Sequence, residues 1–264
     1  GECNFCAIAL HQGRRVVSRS ESSIIQEAKE IARHPDFRGV IADVGGPTAN
    51  MYGTGCGKKP GKASCEKKRC LFPGACKSLR TDHSRLTDLL ERIRSVPGIN
   101  RVFVASGIRY DLLLDAGESG ERCLAQLAAH HISGQMKIAP EHSQSRVLGL
   151  MGKPENRRLG QFRALFTRLN RQARRKQFLT FYIIAAHPGC TLDDMMRLRR
   201  FTTKNLRLRP EQVQIFTPAP STYSTLMYHT GMDPFTGKKI FVEKNPAGKE
   251  RQKRAITLPW YLLQ

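Results

Sequence analysis

The chemistry of this chain is concentrated in its cysteines. Cys3-Asn4-Phe5-Cys6 is a C-x2-C pair, Cys56, Cys65, Cys70 and Cys76 crowd one stretch, and Cys123 and Cys190 stand alone. Clustered cysteines in a chain with no basic and apolar leader read as metal ligands before they read as disulfides. A 4Fe–4S cluster needs thiolates held close together by a short loop. Cys3 and Cys6 supply two at a suitable spacing, and the aromatic Phe5 before the second can shield such a cluster. Zinc knuckles and redox pairs share the spacing, so position has to separate the readings. The pair precedes the helix expected after the first strand of an alternating fold, where functional groups gather. With three protein ligands, a cluster keeps one iron open to a small chelating ligand.

The second group, Cys56-x8-Cys65-x4-Cys70-x5-Cys76, offers four thiolates within 21 residues. That is enough for a four-thiolate zinc site or an auxiliary iron–sulfur cluster. No gap has the two-residue spacing of zinc ribbons, so spacing does not choose the metal. Lys58, Lys59, Lys62, Lys67, Lys68 and Arg69 surround the group and would favour the thiolate form. The bland reading is a basic loop with free thiols. Cys123 and Cys190 are expected to be buried small residues.

The elements that must hold these residues alternate regularly. An amphipathic helix starts at Ser20, with Ile24, Ala28, Ile31 and Ala32 on one face and a capping box at Ser23 and Gln26. A buried strand over Phe37 to Val44 ends in Gly45-Gly46-Pro47, and residues 48–77 are Gly-, Lys- and Cys-rich without periodicity. Asp82 can cap a helix with Leu86, Leu89, Leu90 and Ile93 inside. Strands follow at 101–105, 134–139, 178–186 and 212–216, separated by helices at 119–130, 143–150, 156–176 and 192–206. Five strands with long crossovers imply parallel pairing. A sixth strand is expected upstream of Cys3. The fold class is therefore α/β, a partial parallel barrel lacking its first strand, or else an open doubly wound sheet. Residues 1–220 form the core, with a Cys-rich insertion at about 48–80, and 221–264 an irregular basic extension.

Composition sets the partners. The chain carries 44 Lys+Arg against 22 Asp+Glu, a formal charge of +22. Such an excess suits RNA or another anionic substrate. Few aromatics are interleaved with the basic runs, so solvated helix faces explain much of the charge. No apolar run approaches the roughly 18 to 20 residues that span a bilayer. A cytoplasmic location is the default. The chain opens on Gly1 rather than Met, as a segment of something longer would.

Several stretches together resemble the YgiQ family of radical S-adenosylmethionine (SAM) proteins. They are Gly1-Glu2-Cys3-Asn4-Phe5-Cys6-Ala7-Ile8, His11-Gln12-Gly13-Arg14, Asp43 to Tyr52 (DVGGPTANMY), Ala105 to Asp111 (ASGIRYD), Ala139-Pro140-Glu141-His142, Ala186 to Thr191 (AHPGCT) and Thr217 to Thr222 (TPAPST). The likeness spans about residues 1–254, in order and with similar spacing. The first stretch is similar to the tail of the C-x3-C-x2-C motif of radical SAM enzymes, whose first cysteine would fall two positions before Gly1.

The resemblance implies a 4Fe–4S cluster on Cys3 and Cys6 that reductively cleaves SAM to a 5′-deoxyadenosyl radical, with a flavodoxin or ferredoxin as reductant. It implies SAM contacts at Gly45, Gly46 and Pro47, at Ser106 and Arg109, and at Glu141, with His187-Pro188-Gly189 presenting backbone to the adenine. Pro47 stands where an acidic residue is common in such enzymes. The residues themselves allow simpler roles: a tight turn at Gly45-Gly46-Pro47, an Arg109–Asp111 pair, a helix cap at Glu141 and a rim histidine at His187. A protein of a different class would be a non-catalytic RNA-binding module stabilised by zinc or a cluster at the four-cysteine loop. The segment alone, short of one ligand and one strand, is expected to be weakly active or inactive.

Overall fold

In the computed structural model, which describes residues 1–58, 65, 68–208 and 210–258, a single helical turn α1 (Ile8–His11) follows Cys6. Helix α2 (Glu21–Arg33) begins where the Ser20 hydroxyl accepts the Ser23 N–H. The cap thus lies one turn before the expected Ser23–Gln26 box. Ser20 has the extended backbone that a cap needs, whereas Ser23 is already helical.

Strand β1 (Val40–Ile41) leads to a 3-10 turn at Ala49–Met51 and a short antiparallel pair, β2 (Gly55–Cys56) with β3 (Leu79–Arg80). Helix α3 (Ser84–Arg94) buries Leu86, Leu89, Leu90 and Ile93, the four residues its periodicity selects. Each such side chain contributes about 1.5–3 kcal/mol on burial. Next come β4 (Arg101–Val102), α4 (Tyr110–Asp115), and α5 (Glu118–Gln126), which runs on through a π-helical turn at Leu127–His131. The second half alternates more cleanly: β5 (Gln135–Glu141), α6 (Ser145–Met151), α7 (Leu159–Gln172), β6 (Phe178–Ala185), α8 (Leu192–Lys204) and β7 (Gln212–Ile215).

The five longer-range strands are parallel, in two sheets ordered β1-β4 and β5-β6-β7. A parallel bridge between Ile108 and Ile138 links the chain after β4 to β5. Strands β1 and β4 are far shorter than the runs expected from sequence. The reason is Asp43, whose carboxylate accepts the Ala105 and Ser106 N–H groups that a longer ladder would use. The fold is thus α/β with parallel strands, and among the described residues only the Ile108–Ile138 bridge joins the two sheets.

The irregular extension expected after residue 220 is instead largely helical. Thr222 caps α9 (Tyr223–Thr230), and Asn245, followed by Pro246 in the first turn, caps α10 (Pro246–Thr257). Helix α10 buries Ala255 and Ile256 in a core shared with Val147, Ile183, Leu198 and Val213. A larger core lies around α3, α5, α7 and the first strands. No helix among the described residues is long and apolar enough to cross a membrane.

Candidate functional site

The Cys3–Cys6 turn is pinned from several directions, and every pin comes from a segment that follows a strand. Cys6 N–H donates to the Cys3 carbonyl at 3.1 Å, which closes the turn. The buried Asn4 donates from its backbone to Met151 O (2.8 Å) and from its side chain to Leu150 O (2.8 Å). Its carbonyl accepts from Ser224 N–H at 2.9 Å. Phe5 sets its edge against the His187 ring, with centroids 6.3 Å apart. The N-terminal side of Cys3 lies beside Arg109, since a Cβ on Gly1 would meet the Arg109 guanidinium at 3.2 Å and the Cys3 sulfur at 3.7 Å. The segments after β4, β5, β6 and β7 thereby converge on one four-residue turn. Cys3 and Cys6 are both partly exposed and free of disulfides.

Behind the turn sits a buried polar layer. His187 Nδ1 lies 2.8 Å from the Pro188 carbonyl, and Nε2 lies 2.7 Å from the Ser224 hydroxyl. A carbonyl only accepts, so Nδ1 carries the proton and Nε2 accepts from Ser224. Burial pushes this imidazole down to about 3, which keeps it neutral. His142 is likewise pushed down to about 4 by burial; its Nδ1 accepts the Gln144 N–H. That leaves its Nε2–H directed at the Cys190 sulfur, 3.6 Å away. Cys190 is fully buried, as expected of a small packed residue, and burial pushes its thiol up to about 12. Gln252 of α10 accepts the Ala186 N–H and donates to Cys190 O, tying the loop after β6 to the last helix.

The remaining expected contacts lie along the same strand ends. Gly45 is required by close approach: a Cβ there would come within 2.9 Å of Ser106 Oγ and 3.0 Å of its Cβ. Gly46 faces open space, with nothing within 4 Å of a built Cβ. Ser106 is not a free donor, because its hydroxyl bonds Asp43 at 2.5 Å. Arg109 grips Asp111 with two guanidinium nitrogens, so the simpler pairing is realised. Burial raises Asp111, but Arg109 outweighs it and holds the carboxylate below its usual range. Glu141 closes β5 in a left-handed conformation (φ 64°), which a β-carbon disfavours. It does not cap a helix; it is buried 3.5 Å from Lys153, and burial raises its pKa despite that partner. Positive φ at a buried, charged, non-glycine residue marks a position that the fold over-determines.

No family model matches the chain. A UPF0313 protein of Fusobacterium nucleatum is 54% identical over 257 residues, which is 97% of this chain and 45% of that protein. UPF0313 proteins of Methanosarcina acetivorans and Geobacter sulfurreducens are 46% and 45% identical, over 96% and 99% of this chain and 33% and 42% of theirs. The chain belongs to the UPF0313 family, that of YgiQ. It spans less than half the length of these relatives. Among solved structures, the methylornithine synthase PylB aligns with 97% of this chain and 58% of its own, at 13% identity and a TM-score of 0.41.

In this UPF0313 chain the second cysteine group is only loosely assembled. Cys56 lies in β2 opposite Leu79, and Cys76 N–H donates to Cys70 O at 2.8 Å. Burial raises the Cys70 thiol, and the neighbouring Cys76, Cys56 and Cys65 add to it. The Ser78 backbone N–H lowers Cys76. Even so, among the described residues no three His, Cys, Asp or Glu side chains stand together as a metal-holding set. Lys59, Lys62 and Lys67, expected around this group, lie outside the described residues. Sequence reasoning missed Asp43 and the buried pair Asn50 and His83. Asn50 clamps the Arg109 backbone in both directions, at 2.8 and 2.9 Å, and contacts His83 Nε2 at 3.2 Å. The polar-rich DVGGPTANMY stretch was the available signal for both Asp43 and Asn50.

Proposed function

We propose that the chain is the SAM-cleaving core of a radical SAM iron–sulfur enzyme. The observation that carries this reading is the convergence of four strand-end segments on a turn bearing two free, partly exposed thiols. The donor set fits the group: soft thiolates on a short turn suit an iron–sulfur cluster. Cys3 and Cys6 would hold the cluster, and the C-x3-C-x2-C pattern places a third ligand upstream. When bound, the cluster supplies one electron to SAM, whose reductive cleavage yields a 5′-deoxyadenosyl radical.

The protein's own residues serve position and shielding. Asn4 fixes the turn, and Phe5 with the neutral His187–Ser224 pair fills the space behind it without adding charge. The open face at Gly46 lets a ligand approach the backbone, while Gly45 keeps that strand end against Ser106. Pro47 follows in the same segment. Arg109, buried beside Cys3, and Glu141, buried near Arg109, would meet the polar ends of SAM from the strand tips. A partial (β/α)6 barrel, a flavodoxin- or ferredoxin-type reductant and a cytoplasmic location complete the reading. Eight cysteines free of disulfides suit a reducing compartment.

The test is anaerobic reconstitution with iron and sulfide, in a form of the protein long enough to include the upstream cysteine. Electron paramagnetic resonance of the dithionite-reduced protein should show a cluster signal that changes on adding SAM. A cluster signal indifferent to SAM, or no cluster at all, contradicts the proposal.

A further inference from the structure

Beside the Cys3–Cys6 turn lies a groove of about 940 Å³, near the upper end of the ~300–1,000 Å³ typical of ligand pockets. Asn4 and the end of α6 form its floor, residues 68–73 one wall, and residues 233–241 the other. Five cations line it, Lys68, Arg69, Arg146, Lys238 and Lys239, against one carboxylate, Asp233. That carboxylate is already committed to the Phe235 N–H and the Thr236 hydroxyl. Arg146 is held by Asp194 and the Gly189 carbonyl. The other four cations make no ion pair among those found between described residues.

Four unpaired positive charges around one concavity repel one another until an anion enters. The groove also carries rings. The Arg69 guanidinium lies 5.7 Å from the Phe235 and Tyr223 centroids and 5.9 Å from Phe72. Phe235, Tyr223 and Phe241 keep 56%, 48% and 47% of their surface exposed. Inorganic anions have no use for such rings, but planar heterocycles do. The sequence spread its basic runs with few aromatics between them; folding brings residues 68–73, 223 and 233–241 together and supplies the missing interleaving.

We propose that this groove binds single-stranded nucleic acid, with phosphates on Lys68, Arg69, Lys238 and Lys239 and bases stacked on Phe235 and Phe241. A cationic groove tracking the backbone and exposed rings for the bases are the two parts such sites combine. The concavity favours a strand over a flat anionic bilayer, which basic and aromatic residues also suit. The site borders the cysteine turn through Asn4, so a bound strand would run past the proposed cluster loop. Binding itself does not depend on radical chemistry.

The test is fluorescence anisotropy of the protein with labelled single strands of about 12 nucleotides, RNA and DNA, without SAM or reductant. With four free cations, log K should fall with log salt at a slope of about −2.8, from ~0.7 per neutralised phosphate. Lys238→Gln/Lys239→Gln should halve that slope to about −1.4. Phe235→Ala should weaken binding by about 5- to 150-fold. Arg171→Gln/Lys176→Gln removes the same charge from exposed positions in the last turn of α7 and just after it, ahead of β6, and should leave affinity within about twofold. A duplex of the same sequence should bind more weakly than its single strand. The proposal is overturned if no strand binds, or if the distant double variant weakens binding as much as the groove variant. It is equally overturned if polyphosphate competes as well as the oligonucleotide while Phe235→Ala has no effect, or if anionic vesicles bind and strands do not.

Discussion

Mild acid should destabilise this fold through the two imidazoles packed behind the cysteine turn. His142 and His187 are buried, and burial holds them at about 4 and about 3, against an ordinary histidine value near 6.5. In the unfolded chain both take up a proton as pH falls through about 6.5, whereas in the folded protein neither does until far lower. The unfolded state therefore binds more protons between those limits, and stability rises with pH across that window and falls as it is acidified. At about pH 5 each group has lost roughly 1.5 pK units of differential protonation, about 2 kcal/mol, or about 4 kcal/mol for the pair. That is a large share of the ~5–15 kcal/mol that holds a domain together. His83 and His131, also buried and lowered, act with the same sign. Glu141 works in the opposite direction, because its raised pKa lets the folded state take up a proton early. Asp111 and Asp194, both lowered, cost stability only nearer pH 4 and below. Urea unfolding followed by circular dichroism at about pH 8 and pH 5 measures the loss. His142→Gln and His187→Gln should each flatten it by about 2 kcal/mol. If the variants lose as much stability on acidification as the unaltered chain, the buried neutral imidazoles are not its source.

Two further substitutions separate packing from binding along the strand ends. Gly45→Ala should lower Tm by several degrees, since its Cβ would meet Ser106 at 2.9–3.0 Å and overpacking costs about 1–3 kcal/mol. Gly46→Ala meets nothing within 4 Å, so it should leave Tm nearly unchanged while weakening SAM binding in isothermal titration calorimetry. Lys153→Met leaves Glu141 buried without its cation and should cost about 3–5 kcal/mol in chemical denaturation. Adding Glu141→Gln should recover much of that loss; no recovery would mean Lys153 matters for packing alone.

The helices and long strands were legible because burial there is periodic or continuous. The inner face of α3 and the apolar run of β6 are found where their patterns put them. Strands β1 and β4 were over-read, because an aspartate that replaces ladder hydrogen bonds leaves no mark on hydropathy. Helix α10 was missed although Asn245-Pro246 is a start signal, since its buried side carries one large apolar residue, Ile256, and is otherwise small or polar: Gly248, Gln252 and Ala255. The cysteine turn was visible in spacing, but its supports were not. Asn4, Leu150, His187 and Ser224 are far apart in sequence and meet only through the packing of strand ends. Arg109 and Ser106 were singled out from their motif, while their partners Asp111 and Asp43 decide what they can do.

The central claim, SAM cleavage at the Cys3–Cys6 turn, is tested most directly by its product. The protein extended to include the upstream cysteine would be reconstituted anaerobically, given dithionite and SAM, and assayed for 5′-deoxyadenosine by mass spectrometry beside Cys3→Ala/Cys6→Ala. The expected result is 5′-deoxyadenosine from the unaltered protein and none above background from the double variant. Product that persists without the two cysteines, or no product from a protein carrying a reduced cluster, would contradict the account.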